Sequence, residues 1–137
     1  MSVKLTSAES GSIAENAVCA LLQEKQYNIL RRNYLVPRVG ELDIIAAKQG
    51  RLLFVEVKGR RQASRGRRHN KHSSSDNYGG PFAALTAKKR LRLRRAAEHY
   101  LQRQPEMHDE IVFLAAAVWL NDQGSVQKIR LEPVEFA

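Results

Sequence analysis

Asp43, Glu56 and Lys58 are the side chains whose types and spacing are best suited to chemistry. They lie in two β-patterned runs, Gly40-Glu41-Leu42-Asp43-Ile44-Ile45 and Phe54-Val55-Glu56-Val57-Lys58, joined through a Lys48-Gln49-Gly50 turn. Alternate residues of a strand share a face. Glu41 and Asp43 are therefore expected on one side, with Leu42 and Ile44 opposite. Glu56 and Lys58 share a face against Val55 and Val57. A turn centred between Gln49 and Gly50 makes the numbers of paired residues sum to 99, whether the loop holds two residues or four. That register sets Asp43 against Glu56 and Glu41 against Lys58, with Cβ atoms about 4.5–5.5 Å apart. A loop of three or five residues would break it.

Two carboxylates at that separation repel, and like charges directly opposite weaken a sheet. A bound Mg²⁺ or Mn²⁺ makes the pair tolerable, because hard cations take oxygen ligands. Lys58 is placed to orient or deprotonate a water beside such an ion, and metal-assisted attack of water is a route to phosphodiester hydrolysis. The structural alternative is an ordinary amphipathic hairpin with Glu41 and Lys58 as a weak surface ion pair. Two features favour chemistry. Glu56 is flanked by apolar residues, which marks a central strand. That strand also runs straight into the most basic stretch of the chain.

The elements that must position these residues follow from periodicity and punctuation. Residues 7–25 read as a helix capped by Thr6 or Ser7, with Glu9 completing a capping box. Ile13, Ala17, Ala20 and Leu21 form its apolar stripe, which Ala14, Val18 and Leu22 extend. Tyr27–Leu35 reads as a strand, Pro37 and Gly40 as a turn, and Glu41–Ala47 and Arg51–Lys58 as the hairpin. Residues 59–81 are rich in Gly, Ser, Asn, Arg and His and read as a mobile basic loop. Thr86 caps a second helix reaching about Gln104, with Leu91, Leu93, Ala97, Tyr100 and Leu101 inward and Pro105 beyond its end. Ile111–Leu120 reads as a buried strand, Gly124 as a turn and Val126–Leu131 as the last strand. The expectation is one α/β domain over residues 1–137, in the order α-β-β-β-α-β-β, with no internal repeat.

Charge is concentrated in the middle of the chain. The net charge is +9. Residues 57–104 hold 14 Lys and Arg against 2 Asp and Glu, a balance of +12. Residues 1–56 balance at +1 and residues 105–137 at −4. Like charge gathered this way repels itself unless a polyanion meets it, which points to nucleic acid. The candidate contacts are Arg60, Arg61, Arg65, Arg67, Arg68 and Lys71 in the loop and Lys88, Lys89 and Arg90 on the second helix. No base-reading motif is present, so recognition of shape and backbone is expected, with strong salt dependence. An anionic membrane suits the chain less, because the basic helix has its own apolar stripe to bury. No apolar run is long enough to span a bilayer, and residues 1–11 lack a secretory pattern, so a cytoplasmic setting is the default. Cys19 and Trp119 read as core, and His69 and His72 lack the partners of a zinc site.

The hairpin resembles the PD…(D/E)xK nuclease superfamily, in which an acidic residue on one strand precedes (D/E)-x-K on the next. The chain resembles the YraN family of small bacterial proteins more closely, a family related to archaeal Holliday-junction resolvases. The matching pieces are Gly11…Glu15-x-Ala17, Gly40-Glu41-Leu42-Asp43-Ile44-Ile45 and Phe54-Val55-Glu56-Val57-Lys58 followed by Arg61. Ala84-Leu85-Thr86…Lys89 and Glu135-Phe136-Ala137 fit more loosely. The resemblance implies a restriction-endonuclease-like mixed sheet flanked by helices. It implies Asp43 and Glu56 as metal ligands with the main-chain carbonyl of Val57, Lys58 acting on the water, and Glu15 as an accessory acid. Leu42 stands where the superfamily motif has proline, a position that holds no ligand. The stretch between Arg61 and Pro81 is longer and richer in Arg and His than is usual for the family. The expected activity is a metal-dependent endonuclease on DNA, with branched or damaged DNA as candidate substrates and DNA favoured over RNA. The other readings are a non-catalytic nucleic-acid-binding module of the same fold and, last, a structural protein engaging RNA. A homodimer would suit cutting both strands of a junction, although no interface signature is present.

Overall fold

The computed structural model describes residues 4–61, 86–104 and 108–136. Helix α1 spans Ser7–Glu24, followed by strands β1 (Asn28–Val36), β2 (Gly40–Lys48) and β3 (Arg51–Arg61). Helix α2 spans Ala87–Arg103, and strands β4 (Glu110–Leu120) and β5 (Val126–Pro133) complete the sheet. The five strands lie in chain order, β1-β2-β3-β4-β5. All neighbours are antiparallel except β3 and β4, which are parallel. This is the expected α/β order, and β3, which carries Glu56 and Lys58, is the central strand.

Each helix covers one face. Ala14, Val18, Cys19 and Leu22 of α1 pack on Ile44, Ala46, Leu53, Val55, Ala116 and Val118. Leu93, Ala96, Ala97 and Tyr100 of α2 pack on Tyr34, Leu42, Ile45, Leu52 and Phe54 on the other side. An aromatic row runs through this second layer, from Tyr34 to Tyr100, Phe54, Phe113 and Phe136, with ring centroids 4.8–5.9 Å apart. The helix faces differ from the expected ones by a small rotation. Ala20 and Leu91 are exposed and Ala96 is buried, while Cys19 is buried as expected. An apolar stripe does not say which of its edges meets the sheet. Trp119 is half-buried rather than core, with the Lys128 ammonium 5.0 Å from its ring centroid.

Both helix starts follow local rules. Thr6 and Glu9 form the reciprocal capping box, with bonds of 2.9 and 3.0 Å. Thr86 accepts from the Lys89 amide at 3.2 Å. The β2–β3 turn is the two-residue Gln49-Gly50 type, both residues having positive φ (43° and 83°). That conformation matches the twist of a hairpin. The paired residues run from Lys48↔Arg51 to Ile44↔Val55, all summing to 99 as the turn requires.

Two expectations fail. Strand β3 continues through Gly59, Arg60 and Arg61, which were read as loop, because it pairs with β4 as far as Arg61↔Leu120. A parallel partner distant in sequence supplied the hydrogen bonds that local composition did not predict. Leu42 and Ile44 also do not share a face. Leu42 packs beneath α2 and Ile44 beneath α1. Across the β1–β2 pair, Tyr34↔Leu42 lies on the α2 side, whereas Arg32, opposite Ile44, reaches Asn16 of α1 at 2.8 Å. The pleat therefore inverts between these pairs. The residues at the inversion are Asn33, in the left-handed region at φ 52°, and Asp43.

Gly50 carries the turn at φ 83°, and an added Cβ would stand 2.6 Å from Asp109 Oδ2. Gly50→Ala is expected to destabilise the fold by about 1–3 kcal/mol, read as a lower urea midpoint at unchanged slope. An unchanged midpoint would show that the turn does not hold the register.

Candidate metal and nucleic-acid site

The β2–β3 ladder ends at Ile44↔Val55, immediately before the two acidic positions. Beyond it the Asp43 carboxylate takes over the role of a backbone acceptor, and the Val57 amide donates to Asp43 Oδ2 at 2.7 Å. Because the pleat inverts here, Asp43 is directed along the sheet toward β3 instead of squarely to one side. Glu56 alternates with Val55 and Val57, which face α1, and so projects toward α2. The two carboxylates meet in a cavity of about 210 Å³ lined by Gly40, Glu41, Asp43, Glu56, Lys89, Arg92 and Leu93.

The expected pairing of Glu41 with Lys58 does not form. The strands have parted by that point: Glu41 lies opposite Leu35 of β1, and Lys58 opposite Ala117 of β4. No Glu41–Lys58 ion pair occurs among the described residues, so the surface-bridge alternative loses its bond.

Electrostatics set these carboxyls apart from ordinary surface acids. Burial, then repulsion from Glu56, pushes Asp43 up to about 7, against a smaller opposing effect of the Val57 amide. Burial also raises Glu56, while Lys89 and Lys58 pull it down. Lys58 is shifted below the ordinary lysine range, first by burial and then by Lys89, with which it makes side-chain contact. Both acids therefore pay for burial without a full countercharge, which is the situation a cation relieves.

The donor set fits a hard divalent ion in part. Asp43 keeps one oxygen outside its bond to Val57, Glu56 is a second carboxylate, and the Val57 carbonyl is a neutral oxygen of the kind such ions accept. Among the described residues no group of three or more His, Cys, Asp or Glu side chains is gathered closely enough to hold a metal. An ion here would therefore rest on two carboxylates, a carbonyl and water. Glu15 lies nearer the α1 side, 3.6 Å from Arg32, and is not among the cavity-lining residues. It is still close enough to raise both Asp43 and Glu56.

The basic residues divide similarly. Lys89 is half-buried at the cavity, as is its neighbour Arg90, while Lys88 is exposed. Arg60 and Arg61 lie on β3, and Arg61 Nη2 reaches Ser10 Oγ at 3.4 Å and the Leu5 carbonyl at 3.5 Å. Arg65, Arg67, Arg68 and Lys71, with His69 and His72, fall outside the described residues. Gly40 and Arg92, the latter one of the basic residues of the second helix, also line the cavity beside the carboxylates. Arg92 lies one helical turn beyond Lys89, a spacing that could have marked it as sharing the face. Its contact with Gly40, where an added Cβ would stand 3.6 Å from Arg92 Cβ, depends on the packing of α2 over the hairpin.

Comparison with known proteins gives a consistent result. The model of the family described as "Uncharacterised protein family UPF0102" matches residues 14–123. A UPF0102 protein of Moorella thermoacetica is 36% identical over 127 residues, covering 93% of this chain and 94% of the relative. One from Caldicellulosiruptor saccharolyticus is 33% identical over 123 residues, covering 90% of this chain and 92% of the relative. One from Nitrosomonas europaea is 38% identical over 96 residues, 70% of each. The matched span holds both strands of the acidic hairpin and the cavity-lining turns of α2, and the chain belongs to the UPF0102 family, the YraN family that its hairpin resembles.

Proposed function

We propose that the chain is a metal-dependent phosphodiesterase acting on DNA as an endonuclease, with branched or damaged DNA as its substrate class. The observation that carries this reading is the cavity itself, where two half-buried carboxyls, both shifted upward by desolvation, face cations from α2. Acidic donors for a cation beneath a cationic rim are what hydrolysis of a phosphodiester requires. Asp43, Glu56 and the Val57 carbonyl would hold Mg²⁺ or Mn²⁺, which when bound lowers the pKa of water and polarises a phosphate oxygen.

Lys58 supports the reaction from the α2-facing side of β3. With its pKa lowered it exchanges a proton more readily than a solvated lysine, which suits orienting or deprotonating the attacking water. The water oxygen bonds to phosphorus, and the phosphorus–oxygen bond to the leaving sugar breaks. The departing oxygen takes the electron pair and a proton, leaving a phosphomonoester and a free hydroxyl. Arg60, Arg61, Lys88 and Arg90 supply backbone contacts that carry no sequence information. No described helix is long and apolar enough to cross a membrane.

The assay is cleavage of labelled duplex, flap, four-way-junction and single-stranded DNA with Mg²⁺ or Mn²⁺. Asp43→Ala and Glu56→Ala are expected to reduce cutting to background, and Lys58→Met to lower kcat by about 10²–10⁴. Cutting that survives either carboxylate substitution removes the mechanism. Salt-sensitive binding without any cutting would identify a binding module instead.

Stability should report the same carboxyl without any substrate. An unfolded aspartate releases its proton near 3.8, whereas folded Asp43 keeps it to about 7. Across that window the unfolded chain binds fewer protons, so stability falls as pH rises and levels off above it. In EDTA, denaturant midpoints are expected to be higher at about pH 5 than at about pH 8, and Asp43→Asn to flatten that slope. Mn²⁺ should restore more stability at the higher pH, because there it displaces no proton. A metal-free midpoint that rises through this window, and does so equally in Asp43→Asn, would contradict the assignment.

A further inference from the structure

Lys89 occupies a position that helix energetics disfavour. The first turn of α2 contains no acidic residue, and Lys88, Lys89 and Arg90 crowd its positive end. A cation there is disfavoured by the positive end of the helix dipole. Lys88 extends into solvent, yet Lys89 turns inward to line the carboxylate cavity. There it stabilises the Glu56 carboxylate and contacts Lys58. Arg92, three residues on, lines the same cavity from the same helix face.

The charge count shows why two such cations are placed there. With a divalent ion bound, Asp43 and Glu56 are both ionised and the ion balances them. Of the remaining charged residues that line the cavity, Lys89 and Arg92 then exceed Glu41 by one positive charge, and Lys58 stands in contact with Lys89. A phosphodiester brings one negative charge and gains another as water adds. A surplus of one matches the charge the phosphodiester brings, and both side chains can donate to its non-bridging oxygens as charge builds there.

We propose that Lys89, with Arg92 beside it, grips the non-bridging oxygens of the scissile phosphate and so is a second catalytic cation alongside Lys58. This rests on the phosphodiesterase reading. The ammonium of Lys89 supplies a point charge and the guanidinium of Arg92 a two-pronged donor. The phosphate is thereby held from the helix side while the water is handled from the strand side. Lys88 remains a contact to the flanking backbone.

The test is separable from cleavage. Binding of thymidine 3′,5′-bisphosphate to the full chain in Mg²⁺ is measured by calorimetry for the wild type, Lys89→Gln, Lys89→Arg and Arg103→Gln. Arg103 is an exposed cation at the far end of α2, so its loss changes net charge equally without touching the cavity. Lys89→Gln is expected to weaken the bisphosphate at least tenfold, Lys89→Arg to recover part of that loss, and Arg103→Gln to stay within twofold. Mn²⁺ affinity without nucleotide, read by electron paramagnetic resonance, should be unchanged or tighter in Lys89→Gln. A lysine that merely balances Glu56 would instead leave bisphosphate affinity as in the wild type, which would overturn the proposal. So would a wild-type chain that does not bind the bisphosphate. A chain that grips the bisphosphate through Lys89 but cuts no DNA removes the hydrolytic reading and leaves the grip. One that cuts equally well as Lys89→Gln does the reverse.

Discussion

The bond from the Val57 amide to Asp43 Oδ2 is the interaction on which the rest of the site depends. An antiparallel pair would ordinarily continue its ladder of backbone bonds, with Asp43 standing to one face. Here a side-chain oxygen serves as acceptor, so β2 and β3 part just where their acidic residues come into line. The parting opens the cavity, and the amide bond holds one carboxylate oxygen in place while leaving the other available. The Val57 carbonyl lies in the same residue, so one short segment of β3 contributes an anchor and a neutral oxygen together.

That arrangement is costly in the absence of a partner. Buried carboxyls disfavour ionisation, and Asp43 responds by keeping its proton to about 7. The sheet tolerates this because β3 is held on both sides, by β2 up to Ile44↔Val55 and by β4 from Arg51↔Glu110 to Arg61↔Leu120. At Glu56 and Lys58 the parallel ladder to Ala115 and Ala117 of β4 holds the strand. The opposing cations come from α2, whose seat on the sheet is made by Leu93, Ala96, Ala97 and Tyr100. Lys89 and Arg92 are delivered by a different element from the carboxylates, and the core packing between α2 and the sheet sets the distance between them.

Much of this was legible in local sequence. Thr6 with Glu9 and Thr86 marked helix starts because capping is satisfied within one turn of chain. Gln49-Gly50 set the hairpin register because a two-residue loop leaves no freedom in pairing, and the ladder follows that parity as far as Ile44↔Val55. What failed to show has a common cause. The inversion of the pleat at Asp43 needs Asn33 of β1 opposite it, in the left-handed region. The extension of β3 to Arg61 needs β4, about fifty residues away. The exposure of Ala20 and Leu91 reflects the docking angle of each helix.

The sequence by itself determined the order of the elements and the hairpin register that pairs β2 with β3 from Lys48↔Arg51 to Ile44↔Val55. Those properties depend on alternation, turn length and capping, which act over a few residues. Only the tertiary structure decided which face each acid takes, that Glu41 and Lys58 part company, and that Lys89 and Arg92 close the cavity. Those outcomes depend on a helix and a parallel strand reached through long connections, and no short-range rule encodes where such partners dock. The Asp43–Val57 bond stands at the junction of the two: its residues are brought near by the hairpin, and its geometry is set by the strands on either side.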